Sequence, residues 1–155
     1  MNSGNAGIAK TGDARGSNIL QTIGVRTISK TPDSVPRILV ADDDPQVCGL
    51  FARQLRSAGY RVSEAHSGAQ ALSLLRNAPF QLLVLDLKMP DVDGFDVLKI
   101  VRSEFSHLQV LVISGYLHGA LLEAAECLGA RLTLDKASAP RLLVETTRKL
   151  LGDAN

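Results

Sequence analysis

Residues 38–45 read Ile-Leu-Val-Ala-Asp-Asp-Asp-Pro, four apolar residues running straight into three acids and a proline. A short, wholly apolar run without polar alternation is the pattern of a strand buried on both faces. Pro45 suits the first turn of a helix, where a missing N–H leaves no bond unmade. Val47, Leu50, Phe51 and Leu55 then recur at helical spacing as one apolar face, and Gly59 ends the segment. A buried strand followed at once by an amphipathic helix is one βα unit.

The unit repeats along the chain. Tyr60 to Ala65 reads as a second strand, and Ala69 to Arg76 as a helix with Leu72 and Leu75 inward. Leu82 to Leu85 is aliphatic throughout and ends at Asp86; Gly94 precedes a helix from Phe95 to about Glu104, with Val97, Leu98 and Val101 for packing. Val110 to Ile113 ends at Ser114, a helix covers about 118–128, Leu132 to Leu134 leads to Lys136, and a last helix runs from about Pro140 to Leu151. Five strands alternating with five helices require crossover connections, which predicts an α/β, doubly wound, five-stranded parallel sheet with helices on both faces. Such sheets bind ligands beyond the carboxyl ends of their strands, beside the point where strand order reverses. Asp42, Asp43, Asp86, Ser114 and Lys136 follow or close strands one, three, four and five. Sequence order scatters these groups, and the fold would gather them.

With 155 residues, 45% of them hydrophobic, the chain suits one ordinary domain with a core and some length to spare. Residues 1–35 hold five of the 13 glycines, many Ser, Thr and Asn, and no aromatic residue, so they read as a disordered tail ahead of a domain over 36–155. The 17 basic and 16 acidic residues give a formal charge of +1, with no compensating run of Lys or Arg. That predicts no nucleic-acid partner. Cys48 and Cys127 lie far apart in expected helices, without the spacing of a zinc or redox pair, and read as buried small apolar residues in a reducing compartment. No apolar stretch approaches the roughly 20 residues of a membrane span and no signal-peptide core is present, so the expectation is a cytoplasmic protein without a membrane partner.

Asp42, Asp43 and Asp86 would repel one another if strands one and three are neighbours. At ~4 Å each like-charged pair costs roughly 4 kcal/mol in a medium of effective dielectric of about 20. Hard oxygen donors in small number suit magnesium, with manganese as an alternative, and leave coordination positions for water and a phosphoryl oxygen. Asp44, next to Pro45, reads instead as a helix cap. Asp86 is the candidate nucleophile, since a carboxylate can attack phosphorus to give an acyl phosphate once both charges are screened. Lys136 can supply part of that screening, pairing with Asp86 before reaction and with phosphoryl oxygens afterwards. Ser114 can donate its hydroxyl to a phosphoryl oxygen, or serve only as a turn residue.

These residues resemble the receiver domain of two-component response regulators. The resemblance lies in 38–45, in Leu85-Asp86-Leu87-Lys88-Met89-Pro90-Asp91-Val92-Asp93-Gly94, in the step Ser114-Gly115 and in the late Lys136, and it spans 37 to about 151. It implies a flavodoxin-like (βα)5 fold and an aspartyl phosphate on Asp86, received from a sensor histidine kinase or a histidine phosphotransfer protein. It further implies a magnesium site made by Asp42, Asp43, Asp86 and the backbone carbonyl of Lys88. Ser114 and Lys136 would contact the phosphoryl group, and Gly115 would leave room for it. A stand-alone receiver is expected, a switch rather than an enzyme, which changes partner binding when phosphorylated. Its downstream partner is unknown, and the last two helices are a candidate surface for homodimerisation.

Two positions depart from the family pattern. Thr133 stands where an aromatic residue is usual, and Ala137 stands where proline with a cis bond is usual. A non-proline cis bond costs roughly 2.5–4 kcal/mol, so a trans bond or a reshaped loop is expected. Lys88 and Tyr116, each two residues beyond a key group, are expected to overhang the phosphoryl oxygens and slow hydrolysis. Competing readings are a receiver-like interaction module with weak or no phosphorylation, and a magnesium-dependent aspartyl phosphatase. The phosphatase would need an acid where Lys88 stands. Neither glycine-rich nucleotide motif follows the first strand.

Overall fold

The computed structural model describes residues 35–115 and 118–152. The tail expected over 1–35 lies outside the described residues save for Val35. Five strands, β1 (Arg37–Ala41), β2 (Arg61–Ala65), β3 (Leu82–Leu85), β4 (Gln109–Ser114) and β5 (Leu132–Asp135), form one sheet in the order β2-β1-β3-β4-β5. Every pairing is parallel. Five helices alternate with them: α1 (Pro45–Ser57), α2 (Gly68–Asn77), α3 (Gly94–Glu104), α4 (Ala120–Cys127) and α5 (Ala139–Leu151). The doubly wound prediction holds, and each element falls within a few residues of its expected place.

Successive strand residues point to opposite faces, so each apolar run feeds two cores. Leu39, Ala41, Leu83, Leu85, Val110 and Val112 pack with α2, α3 and α4 on one face. Ile38, Val40, Leu82, Val84, Leu111 and Ile113 pack with α1 and α5 on the other. Fully burying one such side chain contributes about 1.5–3 kcal/mol relative to exposure. This two-sided burial is why the buried runs Ile38–Ala41 and Leu82–Leu85 are apolar throughout, up to the acids that follow them. Among the described residues, no helix is long and apolar enough to cross a membrane.

Two packing expectations are corrected. The buried stripe of α1 is Cys48, Phe51, Ala52 and Leu55, while Leu50 is 37% exposed. The Cys48 thiol lies 3.6 Å from the Val40 carbonyl oxygen, so the helix turns this side toward the sheet. Cys127 is exposed, because α4 is peripheral and buries only Ala125. Burial, joined by the nearby charges of Glu64 and Asp42, pushes the Cys48 thiol up to about 11. A disulfide reagent at neutral pH should therefore titrate one thiol in the native protein and two in denaturant. Two fast-reacting thiols under native conditions would contradict this packing.

Candidate functional site

The strand order puts β1 and β3 side by side, and the ladder runs one residue past their ends. The Asp42 N–H donates to the Ala65 carbonyl at 3.1 Å, and the Asp86 N–H donates to the Ala41 carbonyl at 2.9 Å. Asp42 and Asp86 are thereby held at adjacent strand ends, 2% and 5% exposed, with Asp43 on the exposed rim. One carboxylate oxygen from each of the three lies within 4.8 Å of the others. Asp44 turns away as expected: its side chain accepts from the N–H groups of Gln46 and Val47 and caps α1.

Lys136, just beyond β5, reaches into this cluster. Its Nζ lies 2.7 Å from Asp42 Oδ2 and 3.0 Å from Asp86 Oδ2. The remaining oxygens are also engaged: the Asp44 N–H donates to Asp42 Oδ1 at 2.9 Å, and the Lys88 N–H to Asp86 Oδ1 at 3.2 Å. Burial raises the Asp42 carboxyl above its ordinary range despite the bond from Lys136, and the charge of Asp86 adds to the effect. For Lys136, desolvation works against the charge, but the bonds to Asp42 and Asp86 prevail and hold the ammonium above its usual value. The ammonium faces two acceptors while staying partly solvated, whereas the Asp42 carboxylate is almost wholly buried. Three carboxylates against one ammonium leave a formal excess of two negative charges. An all-oxygen donor set with that excess is chemically suited to a hard divalent cation.

The loop from Asp86 to α3 is fastened at several points. The Gly94 N–H donates to the Leu87 carbonyl at 3.0 Å. A Cβ on Gly94 would lie 2.4 Å from Leu87 Cα and 2.8 Å from the Asp86 carbonyl oxygen, so only glycine fits there. Asp93 caps α3 through the Phe95 N–H at 2.7 Å. Asp91 reaches across to another element: its two oxygens accept from the Gly68 and Ala69 N–H groups, each at 3.1 Å, at the start of α2. The local Val92 N–H, then Ala69, hold this carboxyl below the usual carboxylate range. The cap made by Asp91 was not legible in the sequence, because the helix it closes begins more than twenty residues earlier.

Ser114, 2% exposed, closes β4 and lines an open groove of about 290 Å3 with Leu87, Lys88, Asp93, Phe95 and Leu121. Gly115 is exposed, and among the described residues beyond its chain neighbours no atom lies within 4 Å of where a Cβ would stand. Lys88 is exposed beside Asp86, while Tyr116 lies outside the described residues. Thr133 is half-buried and pairs in register with Val112. Among the described residues no peptide bond is cis, as expected for Ala137, and the Ala137 N–H donates to Asp135 Oδ2 at 3.0 Å. That bond was likewise not anticipated.

The model of the response regulator receiver domain matches residues 38–148. The chain is 31% identical over 115 residues to the response regulator receiver protein CpdR of Brucella abortus, covering 74% of this chain and 96% of that protein. It is 38% identical over 95 residues to the sensor protein EvgS of Escherichia coli O157:H7, and over 77 residues to the response regulator GtcR of Aneurinibacillus migulanus. The chain spans only 8% and 31% of the lengths of those two relatives. Among solved structures, a CheY-like receiver domain protein of Methanospirillum hungatei superposes with a TM-score of 0.74 at 27% identity, over 77% of this chain and 96% of that one. The response regulator TrrA of Thermotoga maritima, solved in complex with Mg2+-BeF, gives 0.68 at 27% identity over 75% and 99%. With the sheet order, the acidic cluster and these likenesses in agreement, the chain belongs to the response regulator receiver domain family.

Proposed function

We propose that this receiver accepts a phosphoryl group on Asp86 from a phosphohistidine of a sensor kinase or phosphotransfer protein. An oxygen of the Asp86 carboxylate attacks phosphorus, the P–N bond breaks, and its electron pair stays on the imidazole nitrogen. What supports this reading is the convergence of three carboxylates with the Lys136 ammonium 3.0 Å from Asp86 Oδ2. Lys136 neutralises the acids before reaction and pairs with a phosphoryl oxygen afterwards, while the Ser114 hydroxyl donates to another and Gly115 leaves space beside it. Asp42, Asp43, Asp86 and the Lys88 carbonyl would hold magnesium, or manganese, whose chemistry when bound is to neutralise charge shared by the carboxylates and the phosphoryl oxygens. Phosphorylation then shifts a two-state equilibrium and changes what the cytoplasmic protein binds, a downstream protein or a second copy through the last two helices.

The test is incubation with acetyl phosphate and magnesium followed by intact mass. The wild type should gain one phosphoryl group and the Asp86→Ala variant none. No gain of mass in the wild type would favour the competing reading, an interaction module without phosphorylation, for which Thr133 and Ala137 are the motivating departures.

Lys88 is exposed on the rim of the groove that holds Ser114, and Tyr116 follows Gly115. Both side chains would overhang the phosphoryl group, where they obstruct an attacking water. The acyl phosphate should decay several-fold faster in Lys88→Ala and in Tyr116→Ala. Decay at the wild-type rate or slower would refute that role.

A further inference from the structure

Lys136 leaves the sheet through a tightly bonded turn. Asp135 closes β5 in register with Ser114, and the Lys136 N–H donates to the Ser114 carbonyl at 3.2 Å. On the other side of the lysine, the Ala137 N–H donates to Asp135 Oδ2 and the Ser138 N–H donates to the Asp135 carbonyl, both at 3.0 Å. The side chain before the lysine thus binds the amide after it, closing an Asx turn around the Lys136 Cα. This bond needs two particular residues, an acceptor at 135 and an N–H at 137, and proline at 137 would have none to give.

The consequence lies at the far end of the lysine. Nζ sits between Asp42 Oδ2 at 2.7 Å and Asp86 Oδ2 at 3.0 Å, and a long side chain reaches both only if its Cα–Cβ direction is set. Bonds on both sides of the Cα set it. We infer that Asp135 is a positioning residue: by accepting the Ala137 N–H it aims Lys136 at the acidic cluster and so sets the rate of phosphoryl uptake at Asp86. This rests on the reading of Asp86 as phosphoacceptor.

The experiment measures two quantities in the wild type, Asp135→Ala and Asp135→Asn. One is the rate of phosphorylation by acetyl phosphate with magnesium; the other is hydrogen exchange at the Ala137 amide. Asp135→Ala should phosphorylate about fivefold more slowly, ~1 kcal/mol in the barrier, and exchange the Ala137 amide faster. Asp135→Asn, which keeps an acceptor and loses the charge, should retain at least half the rate and the amide protection. In a Lys136→Ala background, Asp135→Ala should add no further slowing, because the residue it aims is gone. A purely structural role would lower stability without this dependence on Lys136. Equal rates for wild type and Asp135→Ala, an Asn variant as slow as the Ala variant, or an undiminished effect without Lys136 would each overturn the inference. Failure of the wild type to take up phosphate would instead remove the phosphoacceptor reading on which it stands.

Discussion

Gly94→Ala should lose about 3 kcal/mol or more of stability, an unusually large effect for one methyl group. The added Cβ would meet Leu87 Cα at 2.4 Å and the carbonyl oxygens of Asp86 and Leu87 at 2.8 Å. All three are main-chain atoms, so no side chain can swing aside. Relief requires the chain after β3 to move, and that chain carries Asp86 and the Lys88 N–H bonded to it. Urea denaturation of the variant should therefore show a lower midpoint, and magnesium should stabilise it less than it stabilises the wild type. Gly115→Ala is the internal control: among the described residues beyond its chain neighbours a Cβ there meets nothing within 4 Å, and stability should stay within about 0.5 kcal/mol of wild type. Equal denaturation midpoints for Gly94→Ala and Gly115→Ala would show that the close approach does not constrain the loop.

Lys136→Ala is expected to have the second large effect, and of a different kind. It removes the ammonium from between Asp42 and Asp86, leaving two nearly buried carboxylates without their cationic partner. Breaking a fully buried pair costs about 3–5 kcal/mol; the partial exposure of Lys136 reduces this to about 2 kcal/mol. A divalent cation can replace the missing charge, so magnesium should raise the melting temperature of the variant more than that of the wild type. At 100 times the dissociation constant the gain is about 2.7 kcal/mol. Phosphoryl uptake should still fall on the order of 100-fold, because the lysine no longer meets the charge that develops on the phosphoryl oxygens. A variant as stable as the wild type in chelator would mean that the ion pair contributes nothing to the fold.

How much of this was written in the sequence depends on the range of the interaction that decides each feature. The apolar runs 38–41 and 82–85 announce strands buried on both faces, and the helical periodicity around Leu72, Leu75, Val97, Leu98 and Val101 announces the covering layers. These are local patterns, set by where successive side chains point. Caps within a few residues of their helix belong to the same class, and Asp44 was readable as one because it stands next to Pro45. The alternation of the elements then restricts the topology, which is why the sequence alone places Asp42, Asp43, Asp86, Ser114 and Lys136 at one sheet edge.

Other features had no local signal. Which stripe of α1 faces the sheet depended on how the helix is rotated about its axis, which buries Cys48 and Ala52 and leaves Leu50 exposed. Cys127 is exposed because α4 lies at the periphery, a matter of tertiary arrangement rather than helical spacing. Asp91 caps a helix that starts far back in the chain, and Asp135 ties down the amide beyond Lys136. The sequence by itself determined the alternating elements, their apolar faces and the chemical inventory at the strand ends, since each follows from neighbours a few residues apart. Only the tertiary structure decided which carboxylates the Lys136 ammonium bridges and which loops are fastened to which helices, because hydrogen bonds and charge pairs act over a few ångströms of space whatever the distance along the chain.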